Sequence, residues 1–258
     1  YGPLGVELKN NIANAWWKEM TRNHENIVGL DSGILMHPKI WEASGHVGEF
    51  HDPLVDCKHC GARYRADELA DDIDNTDWEN MKCPKCGTTG KMTSPRQFNL
   101  MFKTQVGPLE ESGSTAYLRP ETAQGIYVNY QLVQGSTRMK IPFGIAQIGK
   151  AFRNEIIARN FIFRTREFEQ MEMQYFTQPG KDDNALIEWK QKRLDFYNDV
   201  LGISPEKLRF HQHGDNELAH YAKEAWDIEY NFPFGWSEIE GIHNLSLIHI
   251  SEPTRLSA

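Results

Sequence analysis

Apolar residues recur in this chain at two different spacings, and the spacing separates helices from strands. A spacing of four predicts an amphipathic helix over residues 4–20, and its repeating apolar positions are Leu4, Leu8, Ile12 and Trp16. A similar pattern predicts a helix over residues 182–202, with one apolar face formed by Leu186, Trp189, Phe196 and Val200. Both segments are predicted to pack one face against a core.

Other segments favour strands and turns. Residues 26–46 combine short apolar runs with glycines, which suggests short strands, and Pro38 marks an edge or a bend. Residues 114–135 are typical of a strand, a turn and a helix, with Pro120 in the first helical turn and Gly135 at the helix end. Residues 235–244 predict an alternating strand and turn. Helices and strands do not alternate regularly, so an α+β fold with an antiparallel sheet flanked by helices is expected.

Composition restricts the class of protein. The 258 residues are 40% hydrophobic, which is enough for a real core. The net charge of −8 argues against a surface that binds nucleic acid by bulk electrostatics. The chain contains no apolar run of about 18 residues and no secretory leader, so we expect a cytoplasmic protein without a membrane span.

Both ends of the chain look truncated. It begins without Met, inside the first predicted helix, so we expect further residues before Tyr1. Residues 245–258 have no clear periodicity, and we interpret them as a non-native tail produced by cloning or sequencing. The alternative is a natural, frayed C-terminus.

The four cysteines predict a metal site. They form two C-x-x-C pairs, Cys57 with Cys60 and Cys83 with Cys86, separated by 22 residues. This spacing is typical of a tetrahedral zinc site with four thiolate ligands, which is closed and therefore structural. The acidic segment between the pairs has few aliphatic residues, so a bound metal would replace the missing core. His51 and His59 lie nearby and remain alternative ligands.

Gly144, Gly149 and Lys150 stand at the spacing of a phosphate-binding loop. Ala151, however, occupies the position where that loop needs a hydroxyl for Mg²⁺, and the neighbouring residues are apolar. The segment 144–156 therefore predicts a strand, with Arg153 and Glu155 on one face.

A second strand is predicted over residues 163–176, after a turn around residues 158–160. One of its faces carries the residues Arg164, Arg166, Phe168, Gln170 and Glu172. Arginines bind phosphate oxygens and an aromatic ring stacks on a base, so the hairpin predicts an ATP site. The alternative is a solvated hairpin whose charges pair across the strands.

Sequence motifs in this region resemble those of a known family. F-R-N-E at 152–155 and R-T-R-E-F-E-Q-M-E at 164–172 resemble motif 2 of class II aminoacyl-tRNA synthetases. The segments 1–12, 41–46, 115–125 and 232–242 are similar to glycyl-tRNA synthetases of the homodimeric type, and the resemblance runs from Tyr1 to about Asn244. It implies a class II synthetase-like sheet with a small zinc-ribbon insertion. It also implies glycine–tRNA ligase activity, with ATP, glycine and tRNA(Gly) as substrates.

The resemblance assigns roles in ATP binding. Arg153 would contact the α-phosphate and Glu155 the adenine amino group, and both would act in catalysis. Arg164 would bind the β- and γ-phosphates and Phe168 would stack on adenine, while Asn154 belongs to the same ATP-binding set.

It also assigns the remaining ligands. Glu121 and Glu172 would receive the ammonium group of glycine, with Arg119 in the same site. Mg²⁺ would bridge the phosphates, with Glu238 or Glu240 as candidates for the metal or its waters, and Glu238 is also expected to belong to the ATP site. The family's dimer interface implies a homodimer built on the helix from Leu4 and the strand ending at Pro38.

The predicted division of the chain follows from these assignments. Residues 1–50 and 97–244 form two parts of a catalytic domain, residues 51–96 form the zinc-binding insertion, and residues 245–258 form the tail. The family's motif 3 and anticodon-binding domain are not found, so we expect a fragment that is impaired in glycylation. Two alternatives remain open, a ligase that adenylates another small acid and a non-catalytic zinc-ribbon binding module.

Overall fold

The computed structural model describes residues 1–70, 72–108, 114–156, 161–214, 218 and 222–245. The chain divides into two compact units. Unit 1 comprises residues 1–31, 126–148 and 171–258, and unit 2 comprises residues 32–125 and 149–170. The antiparallel sheets and separate helices confirm the predicted α+β class.

The described residues form helices and strands with the following bounds. The helices are α1 (Pro3–Arg22), α2 (Pro38–Ala43), α3 (His46–Glu49), α4 (Ala123–Thr137) and α5 (Asp182–Asp195). The strands are β1 (Ile27–Gly29), β2 (His51–Asp56), β3 (Arg63–Arg65), β4 (Arg96–Asn99), β5 (Lys103–Val106), β6 (Ser114–Tyr117), β7 (Phe143–Phe152), β8 (Glu167–Phe176), β9 (Leu208–Gln212), β10 (Ala222–Phe232) and β11 (Gly235–Leu245).

Helix α1 confirms the first predicted helix but buries only part of the predicted stripe. Pro3 stands at the first helical turn, where its missing N–H costs nothing. Trp16 and Met20 are buried in the main core of unit 1, whereas the side chains of Leu4 and Leu8 are exposed. The apolar face of α1 is therefore buried in its C-terminal half and exposed near its N-terminus.

Helix α5 also differs from its prediction at the C-terminal end. Leu186, Trp189 and Phe196 are buried as predicted, but Val200 is exposed. The residues Phe196–Val200 form a π-helical turn, in which the wider winding rotates Val200 away from the buried face. The prediction for Val200 was therefore wrong.

Three segments in which turns or element ends were predicted are also corrected. Pro38 begins helix α2, where it is tolerated at the first turn, and does not end a strand. Helix α4 begins at Ala123, after Pro120, and continues through Gly135 to Thr137. Residues 235–245 form one continuous strand, β11, without the predicted turn.

The segment that resembles a phosphate-binding loop is a strand, as predicted. Gly144 pairs with Ile27 in the parallel ladder between β1 and β7. A Cβ at Gly144 would lie 3.0 Å from Ile27 Cγ1 and 3.0 Å from Met173 Sδ, so the glycine serves close packing. Lys150 pairs with the carboxylate of Glu167 at 2.5 Å.

Strands β1, β7 and β8 form a sheet in the order β1-β7-β8. Unit 1 also contains a sheet in the order β11-β10-β9, whose strands are antiparallel. Its apolar residues Leu208, Ile228 and Ile242 join the core cluster that contains Trp16 and Trp189. Unit 2 contains the sheet β3-β2-β4 and the pair β5-β6. No helix in the described part of the chain has the length and apolar character needed to cross a membrane.

Candidate active site and four-cysteine centre

The predicted hairpin is shorter than the sequence suggested. Strand β7 ends at Phe152 and β8 begins at Glu167, so Arg153, Glu155 and Arg164 lie outside the regular strands. The Arg153 amide still donates to Arg166 O at 3.0 Å, but the next amide, that of Asn154, donates to Leu100 O at 2.8 Å. This hydrogen bond turns the chain away from its partner strand. The turn predicted at residues 158–160 lies outside the described residues.

Arg153 is held from three directions. Its Nε donates to Pro120 O at 3.1 Å. Its Cζ lies 5.5 Å from the ring centroid of Phe50 and 5.3 Å from that of Phe168. Cation–π contacts with two rings fix the plane of the guanidinium, which keeps further N–H donors for an anion. Arg153 and Phe168 are thus brought together, as the ATP-site hypothesis requires.

Glu155 and Arg164 form the second part of the site. Glu155 Oε2 lies 3.7 Å from Arg164 Nη1, and only 12% of the Glu155 side chain is exposed. Arg166 Nε donates to the backbone carbonyl of Glu155 at 2.7 Å, which fixes the backbone at this position. A small cavity beside the pair is lined by Asp52, Tyr64, Arg65, Glu68, Glu155, Ile156 and Arg164.

Asp52 brings a third carboxylate to this cavity. Its Oδ1 lies 3.0 Å from Arg65 Nη1. Burial raises the pKa of Asp52 above its ordinary value, the charge of Arg65 opposes this, and the nearby charge of Glu155 adds to it. The cavity wall therefore carries alternating acidic and basic groups.

Glu121 lies in the turn before α4 and is kept anionic. Its Oε1 lies 3.4 Å from His46 Nε2 and accepts from Gln124 Nε2 at 2.7 Å. Burial opposes ionisation, but hydrogen bonds from His46 and Gln124 and the charge of Arg153 hold the pKa of Glu121 below its ordinary value. A half-buried carboxylate next to an arginine suits a substrate that carries both an ammonium group and an anionic group.

Arg119 is almost fully buried and binds backbone. Its Nε donates to Lys150 O at 2.6 Å and its Nη1 to Ser32 O at 2.8 Å. These bonds fix the start of the R-P-E-T turn that carries Glu121. The other end of the turn is held by the Thr122 amide, which donates to Gln170 Oε1 at 3.1 Å.

The remaining predicted residues belong to unit 1. Glu172 lies on β8, and its Oε1 accepts from Gln174 Nε2 at 2.7 Å. Glu238 and Glu240 lie on β11 on either side of a β-bulge, opposite Glu229 and Ile228 respectively. Glu240 accepts two hydrogen bonds from Arg193, at 2.6 and 3.1 Å, whereas Glu238 is exposed. The two carboxylates are therefore not equivalent.

Several residues of the site had no role in the sequence reasoning. They are His46, Phe50 and Gln124, which contact Glu121 or Arg153. Gln170 belongs to the predicted face of the second strand without an assigned role there, and it accepts from the Thr122 amide in the R-P-E-T turn. His46 belongs to the motif W-E-A-S-G-H, but no spacing rule links His46 to Glu121. Only the tertiary fold identifies these contacts.

The four cysteine sulfurs converge, and each ligand atom lies within 4.8 Å of the others. Cys57 Sγ lies 3.8 Å from Cys86 Sγ, and Cys60 Sγ lies 3.8 Å from Cys83 Sγ. Each pair is followed by a glycine in the left-handed region, Gly61 at φ 67° and Gly87 at φ 71°. The amides of these glycines donate to Cys57 O and Cys83 O, each at 2.9 Å, so the two turns have the same geometry.

The chemistry of these donors fits zinc. Hydrogen bonding to Thr88 lowers the pKa of Cys86 to about 5, and the pKa of Cys83 is also lowered, chiefly by a backbone hydrogen bond at Cys86. A backbone hydrogen bond at Ala62 acts to lower the pKa of Cys60, but burial and the three neighbouring sulfurs outweigh it and raise that pKa to about 11. Thiolates at this separation repel each other until a cation neutralises them. Cys57 and Cys83 are buried with Trp78 and Met92, so the centre would complete a small core. His59 contacts Thr88 and has no position in the four-sulfur cluster.

Comparison with known proteins extends these observations. The family model for the tRNA synthetase class II core domain (G, H, P, S and T) matches residues 97–251. A glycine–tRNA ligase of Treponema denticola is 60% identical over 257 residues, covering 100% of this chain and 55% of that protein. A glycine–tRNA ligase of Borreliella burgdorferi is 57% identical over 257 residues, covering 100% of this chain and 56% of that protein.

The chain thus spans about half the length of the curated relatives it matches. The similarity confirms the resemblance to glycyl-tRNA synthetases that motif 2 and the surrounding sequence segments indicated. The family match covers more than half of the chain, including both strands of the hairpin. The chain therefore belongs to the family of class II tRNA synthetase core domains.

Proposed function

We propose that this chain is the substrate-activating part of a glycine–tRNA ligase, which forms glycyl-adenylate from glycine and ATP and transfers the glycyl group to tRNA(Gly). One observation carries the proposal. Glu121 is held as an anion by His46 and Gln124 and lies within electrostatic range of the clamped cation Arg153. An ammonium receptor beside a phosphate-binding fork is the arrangement that activation of an amino acid needs.

Arg153 has the central role in ATP binding. Its guanidinium would neutralise the α-phosphate while the glycine carboxylate attacks phosphorus in line and pyrophosphate leaves. The attacking group is already an anion, so no strong general base is needed and the protein contributes positioning and electrostatic stabilisation. The contacts with Pro120, Phe50 and Phe168 fix Arg153 before substrate binds, which lowers the cost of ordering it.

Glu155, Arg164 and Phe168 would bind the rest of ATP. The Glu155 carboxylate would accept from the adenine amino group, and Phe168 would stack on the adenine ring. Arg164 would exchange its contact with Glu155 for the β- and γ-phosphates. Asn154, whose amide donates to Leu100 O, would fix the backbone between Arg153 and Glu155.

Glycine has no side chain, so its recognition depends on its charged ends and on space. Glu121 and Glu172 would receive the ammonium group, and Arg119 would support the site by fixing the R-P-E-T turn. Larger amino acids would be excluded by clash, which gives specificity without an editing site.

Two metals belong to the proposal. Zn²⁺ would be held by the four cysteines and would stabilise the insertion formed by residues 51–96. Mg²⁺ would neutralise phosphate charge when bound with ATP. Glu238 and Glu240 are the candidates for contacting Mg²⁺ or its waters, and Glu240 already accepts two hydrogen bonds from Arg193.

Homodimerisation through the region of α1 and a cytoplasmic location complete the proposal. The exposed leucines of α1, Leu4 and Leu8, support an interface on this helix. The cytoplasm is where a tRNA substrate and the translation machinery are found.

Glycine-dependent exchange of pyrophosphate into ATP tests this function. We expect exchange with glycine, slower than that of an intact ligase, and at least tenfold less with alanine or serine. The Glu121→Gln and Arg153→Ala variants should lose the glycine-dependent signal, whereas Arg63→Ala, an exposed arginine paired with Asp56, should retain it. Equal exchange with alanine would point to another small acid, and pyrophosphate exchange that does not depend on glycine would contradict the proposal.

A further inference from the structure

Three potential metal ligands converge on one face of the sheet β11-β10-β9. They are His213, directly after β9, Asp227 on β10 and His243 on β11. One ligand atom from each side chain lies within 4.8 Å of the other two. His213 Nε2 lies 2.8 Å from Asp227 Oδ2, and His243 Nε2 lies 3.8 Å from Asp227 Oδ1.

The strand register explains why these side chains meet. His243 pairs with Ala225 across the β10–β11 ladder, and the His213 amide donates to Ala225 O at 3.0 Å. Both histidines therefore flank Ala225. Asp227 is two residues further along β10, so it projects from the same face. Its cross-strand partner on β11 is Gly241.

The small residues at 225 and 241 leave the space that the ligands fill. A Cβ placed at Gly241 would lie 2.7 Å from His243 Nε2, a distance that no real Cβ contact allows. The His243 ring thus occupies the volume that any side chain at position 241 would take. Glycine at this position permits the ring to approach Asp227.

One carboxylate oxygen of Asp227 accepts no hydrogen bond within this cluster. The residue is only 7% exposed, and its Oδ1 has no hydrogen-bond partner among the described residues. A buried carboxylate oxygen without a partner costs free energy. Asp227 Oδ1 is buried, whereas the His213 and His243 side chains are 21% and 42% exposed, so an ion would enter beside the histidine rings.

We propose that His213, Asp227 and His243 form a binding site for a divalent first-row transition metal such as zinc. Two imidazoles and one carboxylate are a donor set that suits Zn²⁺ or Co²⁺, whereas Mg²⁺ and Ca²⁺ prefer oxygen ligands. Three protein ligands leave a coordination position for water, unlike the closed four-cysteine centre. The ion would link β10, β11 and the end of β9, and would bind Asp227 Oδ1, which has no hydrogen-bond partner among the described residues. This site does not depend on the proposed aminoacylation.

A calorimetric titration with zinc alone tests the site. The chain is first given one zinc per molecule, which fills the four-cysteine centre, and is then titrated at pH 7.5. We expect one further equivalent to bind. The His243→Ala and Asp227→Asn variants, compared at the same zinc content, should bind it at least tenfold more weakly.

His211→Ala is the matched control. His211 is the cross-strand partner of Asp227 on β9 and its ring lies 5.8 Å from that of His213, but it is not one of the three ligands, so its removal should weaken zinc binding much less than removal of a ligand. Because His243 is 42% exposed, its removal leaves the core intact, and this variant decides the question if Asp227→Asn does not fold.

The ring nitrogens give a second measurement. In nuclear magnetic resonance spectra, zinc should shift the ring nitrogen signals of His213 and His243 and leave those of His211 in place. The absence of a second binding event in the parent chain, or an event of unchanged affinity in His243→Ala, would overturn the proposal and leave the cluster as a structural ion pair.

Discussion

The carboxylate of Glu121 lies 3.4 Å from Nε2 of His46, and the same carboxylate accepts a hydrogen bond from Gln124. His46 precedes Glu121 in the chain and lies on α3, whereas Gln124 follows it and lies on α4. They hold the pKa of Glu121 below its ordinary value in spite of burial. This contact fixes the charge state of the group that would recognise an ammonium ion.

The lowered pKa of Glu121 predicts a dependence of stability on pH. A carboxyl with a depressed native pKa stabilises the fold above its ordinary pKa of 4.5, and this contribution is lost as the pH falls through the lower native value. The difference in unfolding free energy between the parent and Glu121→Gln, measured in urea from pH 7 to pH 3, should therefore shrink on acidification. Glu42→Gln, on the exposed side of α2, is the control. A difference that stays constant over this range would contradict the prediction.

Arg153 should contribute more to ATP binding than an exposed arginine of the same unit that lies outside the proposed site, such as Arg63. A hydrogen bond to a charged group is worth about 1.5–3 kcal/mol, so Arg153→Ala should weaken ATP binding more than about tenfold. Arg153→Lys should rescue only part of the affinity, because lysine lacks the planar fork. Fluorescence titration with ATP measures both variants, with Arg63→Ala as control. Equal losses in Arg153→Ala and Arg63→Ala would argue for a general charge effect.

Gly144 and Gly135 form a matched pair for stability. Alanine at Gly144 would place its Cβ 3.0 Å from Ile27 Cγ1 and Met173 Sδ, and such overpacking costs about 1–3 kcal/mol. Alanine at Gly135, inside α4 with nothing within 4 Å of the new Cβ, should stabilise by about 0.5–1 kcal/mol. Urea unfolding of the two variants should move in opposite directions. A neutral Gly144→Ala would show that the β1–β7–β8 sheet relaxes to accept the methyl group.

The ion pair between Arg193 and Glu240 should be costly to break from one side. Arg193 is 3% exposed and Glu240 is 21% exposed, and they share two hydrogen bonds. Glu240→Gln leaves the buried cation without its counter-charge and should destabilise unit 1 by about 3 kcal/mol. The double variant Arg193→Met/Glu240→Gln should recover part of that loss in a double-mutant cycle. Additive losses would contradict coupling between the two groups.

The four-cysteine centre should bind one zinc ion, and its removal should unfold the surrounding module. Cys60→Ser or Cys83→Ser should lower zinc affinity at least a hundredfold, because each removes one of four thiolates. Zinc content by mass spectrometry and protease resistance of residues 51–96 measure the effect. His59→Ala is the comparison, since its imidazole lies outside the sulfur cluster and acts on Cys86 only through hydrogen bonding, so its effect on zinc affinity should be much smaller. Loss of zinc from His59→Ala with retention in Cys83→Ser would contradict the assignment.

The sequence predicted those parts of the molecule whose geometry is encoded locally. The two C-x-x-C pairs predict the sulfur cluster because each turn is built from consecutive residues. The apolar stretch from Gly144 predicts a strand for the same reason. The ends of the hairpin were predicted less well, because the hydrogen bond from the Asn154 amide to Leu100 joins residues far apart in the chain.

Contacts between distant segments that share no motif could not be predicted. No periodicity links His46 to Glu121, or Phe50 to Arg153. The meeting of His213, Asp227 and His243 depends on strand register, and a shift of one residue would move a side chain to the opposite face. Val200 was misassigned because a π-helical turn is not visible in an apolar repeat of α-helical spacing.

The most direct measurement of the central claim is the equilibrium binding of a non-hydrolysable glycyl-adenylate analogue, a glycyl sulfamate of adenosine, to this chain. Such an analogue resembles the state that the site is proposed to stabilise, so it should bind more tightly than ATP or glycine alone. The account predicts at least tenfold preference over the alanyl analogue, with loss of binding in both Glu121→Gln and Arg153→Ala. Equal affinity for the two analogues, or binding that survives both substitutions, would contradict it.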